Sequence, residues 1–100
     1  MNICTFMGVV EEPIVLENDN GVSFVNFTLS VYNYRKTKTG EKSREVSFVP
    51  CQAWSTGAET LAERATPGTK ILAQCSIKST LYEDGQYDNV FRINEFEILG

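Results

Sequence analysis

Histidine is missing altogether from this chain of 100 residues. The three cysteines, Cys4, Cys51 and Cys75, lie far apart and form no Cys-x-x-Cys pair. Both absences argue against a zinc site, which needs thiolates and imidazoles at short spacings. Each cysteine stands in an apolar, strand-like context and reads as a small buried hydrophobe. Without histidine an enzyme, a small nuclease for example, needs carboxylates gathered on a metal. The acidic pairs Glu11-Glu12 and Glu83-Asp84 sit at turns, where such residues are ordinarily just solvated. Neither a Gly-rich phosphate loop nor a nucleophile arrangement is present. No catalytic residue, cofactor or metal is therefore expected.

No window approaches the roughly 20 apolar residues of a membrane span. The start, Met1-Asn-Ile-Cys-Thr-Phe, has no basic region followed by an apolar run, so no signal peptide is expected and the expected location is cytoplasmic. Repeats, low-complexity segments and a second domain are also lacking, and the expectation is a single domain over residues 1–100. With 42% hydrophobic residues it has enough apolar surface for one modest core.

Positive charge is scarce overall: nine Lys and Arg stand against thirteen Asp and Glu, a net charge of -4. Its distribution is uneven. Residues 35–45 hold Arg35, Lys36, Lys38, Lys42 and Arg44 against Glu41 and Glu45, a local +3 that leaves -7 on the remainder. For an anionic partner the local field outweighs the sum. A solvated, Lys-rich hairpin tip is the plainer alternative.

Two strand patterns flank this basic segment. In Phe24–Tyr34 the odd positions Val25, Phe27, Leu29 and Val31 are apolar, whereas Asn26, Thr28 and Ser30 are polar. That is the alternation of a half-buried strand. The polar face nevertheless carries Phe24, Tyr32 and Tyr34. In Val46–Trp54, Val49, Cys51 and Ala53 make one face and Phe48, Gln52 and Trp54 the other. Large aromatics on the solvent side of a sheet, beside Lys and Arg, fit a platform for unstacked bases. They also fit a second buried face or a subunit contact.

The remaining elements follow in order. Asn2–Val10 is a first strand, buried on much of both faces or bent, in which Gly8 permits a bulge or a close backbone approach. Asn18-Asp-Asn-Gly21 signals a hairpin turn. Lys38-Thr-Gly-Glu-Lys42 is the tip of a connection of about ten residues, longer than the usual hairpin loop. Pro50 removes a ladder donor and implies an edge, a bulge or an outward N–H. Thr56-Gly-Ala-Glu59 fits a capping box, with Ala58, Leu61, Ala62 and Ala65 at helical spacing and Thr66-Pro-Gly68 as the stop. In the fourth strand Ile71, Ala73, Cys75 and Ile77 face one way. Asp84-Gly85 turns a last hairpin. In the fifth strand the apolar phase shifts between Phe91/Ile93 and Phe96/Ile98, which a bulge near Glu95 explains. Such strand spacing suits an SH3-like barrel as well, but a helix between the third and fourth strands favours an all-β, five-stranded Greek-key OB-fold barrel.

These segments resemble the bacterial and phage single-stranded DNA-binding protein family over nearly the whole chain. The resemblance rests on Met7-Gly-Val-Val with Glu12-Pro13 after it, Phe27-Thr-Leu-Ser-Val, and Tyr34-Arg-Lys-Thr-Lys-Thr-Gly. It continues in Phe48-Val-Pro-Cys-Gln-Ala-Trp-Ser-Thr-Gly-Ala-Glu59, Pro67-Gly-Thr-Lys-Ile-Leu-Ala and Leu81-Tyr-Glu-Asp-Gly85. No single piece is very specific; their order and spacing are. The resemblance implies base stacking on Tyr34, Phe48, Trp54 and Tyr82. It also implies phosphate contacts from Arg35, Lys36, Lys38, Lys42 and Arg44, with Lys78 a weaker addition, and leaves Phe24 and Tyr32 to structure or an interface. The implied function is non-catalytic, sequence-independent binding and protection of single-stranded DNA in replication, recombination or repair. The implied assembly is a homo-oligomer, tetramer or dimer, in the cytoplasm of a bacterium or of a phage-infected host.

The departures from the family carry expectations too. Pro50, Thr56, Thr80 and Leu81 are uncharged where familiar members are basic, which implies weaker, less electrostatic binding. Familiar members continue into a flexible linker and an acidic tip that recruits other proteins. Here the sequence stops at Gly100, so tail-mediated recruitment is not expected. A truncated chain, a compact phage- or plastid-like form, and a tail-less relative of the primosomal replication protein N type all fit. The last would be a protein-interaction module as much as a DNA binder.

Overall fold

The computed structural model describes residues 1–100 as six strands and one helix. Strand β1 is Cys4–Val10, β2 Glu17–Asp19, β3 Val22–Lys36 and β4 Lys42–Trp54; helix α1 is Ser55–Arg64, followed by β5 Lys70–Leu81 and β6 Tyr87–Ile98. The strand order is β1-β5-β6-β4-β3-β2, and an added β1–β3 pairing closes the five longer strands into a barrel. All pairings are antiparallel except β4–β6, which is parallel through Cys51–Phe91 and Gln52–Arg92. This is the OB-type barrel expected from the sequence, with α1 between its third and fourth strands. The short β2, paired only with β3, is an addition.

The alternation read from the sequence sets the core. Val25 and Leu29 on β3, Val49, Cys51 and Ala53 on β4, and Ile71, Ala73 and Cys75 on β5 are buried in one cluster with Val10, Ile14 and the helical Ala58, Leu61 and Ala65. Cys4, at the barrel's edge, is only half-buried and departs from the expected burial of all three cysteines. Strand β1 is the bent alternative rather than a strand buried on both faces. It pairs with β5 from Cys4 to Val9 and with β3 at Val9 and Val10, while Met7 stays exposed. Gly8 marks the crossing: a Cβ there would lie 2.9 Å from the Ser30 carbonyl oxygen and 3.2 Å from the Leu29 Cβ.

The turns follow from residues that tolerate positive φ. Asn20 (51°) and Gly21 (83°) connect β2 and β3, and the Gly21 N–H donates to Asn18 Oδ1 at 3.0 Å. The β3–β4 and β5–β6 turns are alike. Thr37 N–H donates to the Glu41 carbonyl (2.8 Å) and Gly40 N–H to that of Thr37 (3.0 Å). Tyr82, Gln86 and Gly85 repeat this at 2.8 and 3.0 Å, and both glycines have φ of 85°.

Three further expectations need correction. The β3–β4 connection is five residues, 37–41, not about ten, because the ladder continues through Tyr34–Arg44 and Arg35–Ser43 to Lys36–Lys42. Thr56 does not cap a helix. Helix α1 starts directly after Trp54, which makes no side-chain cap bond, and the Glu59 carboxylate instead accepts from Ser23 Oγ at 3.2 Å. Ile77 is 41% exposed rather than in the core. Strand β1 ends its pairing at Cys4–Cys75, so β5 beyond that rung has only β6 beside it, and past the Ile77–Phe91 rung the two continue as a two-stranded arm. The Asn2 side chain alone follows it, bonding the backbone N–H and C=O of Ile77. The bulge expected near Glu95 is present, at Asn94, since Gln74 pairs with Glu95 and Cys75 with Ile93.

The two hairpin arms stretch the molecule to 55 × 38 × 26 Å, with a radius of gyration of 15.3 Å. A compact chain of this length would have about 13 Å. No helix is long and apolar enough to cross a membrane.

Candidate nucleic-acid interface

The outer face of β3–β4 is a ladder of even-numbered residues. Its rungs are Phe24–Trp54, Asn26–Gln52, Thr28–Pro50, Ser30–Phe48, Tyr32–Val46, Tyr34–Arg44 and Lys36–Lys42. Side chains two apart share a face, so Tyr34, Phe48 and Trp54 project on one side. They are not contiguous. From the Trp54 rung to that of Tyr34 is ten residues of β4, ~34 Å at ~3.4 Å per residue. Pro50 is tolerated on this ladder because β4 pairs with β6 only at Cys51 and Gln52, leaving its second edge open at position 50.

The individual aromatics differ in how free they are. Tyr34 and Phe48 are 74% and 65% exposed; Phe48 adjoins the buried Val49, whereas Tyr34 lies on the arm, where neither face of the ladder is buried. Trp54 is half-buried: Phe24 stacks on it, its Nε1–H donates to Gln52 Oε1 at 3.0 Å, and the Arg92 guanidinium lies 5.7 Å from its ring centroid. Tyr82 stands in the β5–β6 turn, six residues or ~20 Å along the arm from the Ser76 rung. Its hydroxyl donates to Asp88 Oδ2 at 3.0 Å, which raises the phenol pKa above its ordinary value.

The basic residues divide likewise. Lys36 and Lys42 face each other on the last rung, and with Tyr34 and Arg35 they line an open hollow of about 420 Å³. Lys38 lies in the turn. Arg35 pairs with Glu45 at 3.0 Å, but both side chains are over half exposed, so the pair is weakly held. The Arg44 guanidinium sits 4.7 Å over the Tyr32 ring. Lys78 is across from Val90 on the β5–β6 arm, away from the other five.

Two further residues bear on this region: Glu11, read from the sequence as a solvated turn residue, and Arg92, which the sequence did not single out. Glu11 accepts from Ser30 Oγ (2.6 Å) and from the Tyr32 hydroxyl (2.5 Å). The Ser30 bond, then the Tyr32 bond, lower its pKa against an opposing desolvation effect, with a lesser contribution from the nearby Arg44 charge; the same hydrogen bond to Glu11, ahead of desolvation and of the Glu11 charge, raises the pKa of Tyr32. This arrangement explains why Ser30, an outer-face residue, is buried. Glu11, Glu12, Asn26, Thr28 and Phe48 border a second open hollow of about 500 Å³. Arg92 stands between Gln52 on β4 and Ser76 on β5. The one sequence signal for it was its outward parity between the inward Phe91 and Ile93; nothing local placed it beside Trp54.

Similarity to known proteins runs the length of this framework. The single-stranded DNA-binding protein of Halalkalibacterium halodurans is 29% identical over 83 residues, covering 83% of this chain and 48% of the relative. That of Enterococcus faecalis is 28% identical over 90 residues, covering 90% and 47%. The chain therefore spans about half the length of the curated relatives it matches. Among solved structures, the wild-type single-stranded DNA binding protein from Thermus aquaticus superposes on all of this chain and 50% of its own, with a TM-score of 0.86 at 12% identity. Its deletion mutant, matched over 100% of this chain and 51% of its own, gives 0.87 at 13%. At such identity the likeness establishes the barrel architecture. The sequence match to the Single-strand binding protein family extends over residues 1–97, across every strand and the helix, and the chain belongs to that family.

Proposed function

We propose that this chain binds and protects single-stranded DNA, without catalysis and with little regard to sequence, in replication, recombination or repair. The observation that carries the reading is the outer face of β3–β4. It presents exposed rings, Tyr34 and Phe48, on a track that runs from Trp54 to the cations Arg35, Lys36 and Lys42 around Tyr34. Bases stack on such rings whatever their identity, because every base offers a π-face, at about 1–3 kcal/mol each. In this reading Tyr34, Phe48 and Trp54 take bases along the track and Tyr82 takes one at the tip of the β5–β6 arm. Arg35, Lys36, Lys38, Lys42 and Arg44 follow phosphates, with Lys78 contributing from the arm. Arg35 exchanges its pair with Glu45 for phosphate at little cost, since both side chains are over half exposed, and Arg44 turns from the Tyr32 ring to do the same.

The same reading makes the functional unit a homo-oligomer working in the cytoplasm. Titration with oligo-dT, followed by Trp54 fluorescence and by light scattering, tests both parts. Quenching at low salt that weakens as salt rises is expected, with a particle larger than one chain. Absence of quenching at low salt and micromolar protein would remove the DNA-binding reading and leave the outer face as a protein contact.

A further inference from the structure

We propose that Arg92 clamps a phosphate of the strand that stacks on Trp54. This rests on the reading of the outer face as a single-stranded DNA track. Three observations lead to it.

The first is position. Arg92 occupies the outward rung that joins three strands, with Gln52 of β4 on one side and Ser76 of β5 on the other. It therefore stands where the β3–β4 track meets the β5–β6 arm that carries Lys78 and Tyr82.

The second is its lack of a partner. Arg92 is half-buried, yet it makes no ion pair, and no hydrogen bond satisfies its side chain. Its Nε is the one buried side-chain nitrogen or oxygen in the structure without a hydrogen-bond partner. Buried donors are normally satisfied, and a partly desolvated cation without a counter-ion is costly. Its sole neighbour of note is the Trp54 ring at 5.7 Å, close to the limit for a cation–π contact. That contact aligns a guanidinium without using its N–H fork. A planar, unoccupied fork is what a phosphate engages with two parallel hydrogen bonds.

The third is the distribution of charge along the track. The β3–β4 cations cluster at the Tyr34 end, ~34 Å from Trp54 along β4. On the Trp54 side the cation of the Gln52 rung is Arg92. A strand stacked on Trp54 needs its phosphate neutralised there, and Arg92 is already held at that ring.

The test compares the protein with Arg92→Met, Arg92→Lys and Lys38→Ala. Binding of labelled oligo-dT is measured by anisotropy over a series of salt concentrations, and thermal melts report folding. A lost phosphate contact on single-stranded DNA lowers the slope of log K against log salt by about 0.7, which is about eightfold in affinity at about 50 mM salt relative to about 1 M. Arg92→Met is expected to show this loss, as is Lys38→Ala. Arg92→Lys is expected to keep the slope while losing part of the affinity, because a point charge replaces the fork. A folded Arg92→Met protein with wild-type affinity and slope overturns the proposal and makes Arg92 a packing partner of Trp54. Should Met fail to fold, a Lys variant with fully wild-type affinity excludes the bidentate clamp. If the unaltered protein binds no oligo-dT, the proposal falls together with the reading beneath it, an outcome distinct from either of these.

Discussion

Phe24 and Trp54 stack on each other across the β3–β4 ladder, with ring centroids 5.0 Å apart and planes inclined by 30°. One side of the indole is thus taken by protein, and the ring is held in place before any base arrives. Side-chain entropy that a free ring would lose on binding is already spent.

Trp54→Ala should therefore weaken oligo-dT binding even at high salt, by about 1–3 kcal/mol for one stacked base. Lys38→Ala should weaken it at low salt and lose its effect as salt rises, because phosphate contacts act through counter-ion release. Affinities of the two variants at two salt concentrations, read by anisotropy, check the ordering: tryptophan loss dominates at high salt.

Gly8→Ala should destabilise the barrel. The new Cβ would stand 2.9 Å from the Ser30 carbonyl oxygen, a backbone atom that cannot swing aside. Overpacking of this kind costs about 1–3 kcal/mol, and each kcal/mol lowers Tm by about 4–8 °C in a domain of this size. Differential scanning calorimetry reads the shift directly.

Gly40 and Gly85 occupy the same place in two like turns, each with φ of 85° and open space around it. Alanine at either position pays only the left-handed backbone cost, about 1–2 kcal/mol. The turns sit on separate arms, so urea unfolding of the double variant should give the sum of the single effects.

Glu11 links stability to acid pH. Its hydrogen bonds from Ser30 and Tyr32 hold its pKa below the usual carboxylate value in the folded protein. A group of this sign stabilises above its unfolded pKa and loses that contribution as pH falls through the folded one. Melts of the protein and of Glu11→Gln across the acid range should converge as pH drops below the ordinary carboxylate range. A gap in Tm that stays constant down to strongly acid pH would contradict it.

Much of the fold was legible because its causes are local. A period of two placed Val25, Leu29, Val49, Cys51, Ala53, Ile71, Ala73 and Cys75 inward, and all are buried. Residues suited to positive φ marked the turns at Gly21, Gly40 and Gly85. The phase change in the last strand announced the bulge now seen at Asn94. The same alternation showed that Tyr34, Phe48 and Trp54 share one face.

The sequence alone thus determined which side chains face the core, where the chain turns, and that aromatics and cations adjoin on one hairpin. Tertiary structure alone decided what those side chains meet. Ile77 obeys the inward alternation yet is exposed, because the partner strand β1 ends at the Cys75 rung. Thr56 and Glu59 have the capping pattern, but Ser23 of a neighbouring strand takes the carboxylate. Arg92 reaches Trp54 only through the parallel β4–β6 seam. That seam joins residues about forty apart in sequence, and no local pattern encodes it, because its register is set by closure of the whole barrel.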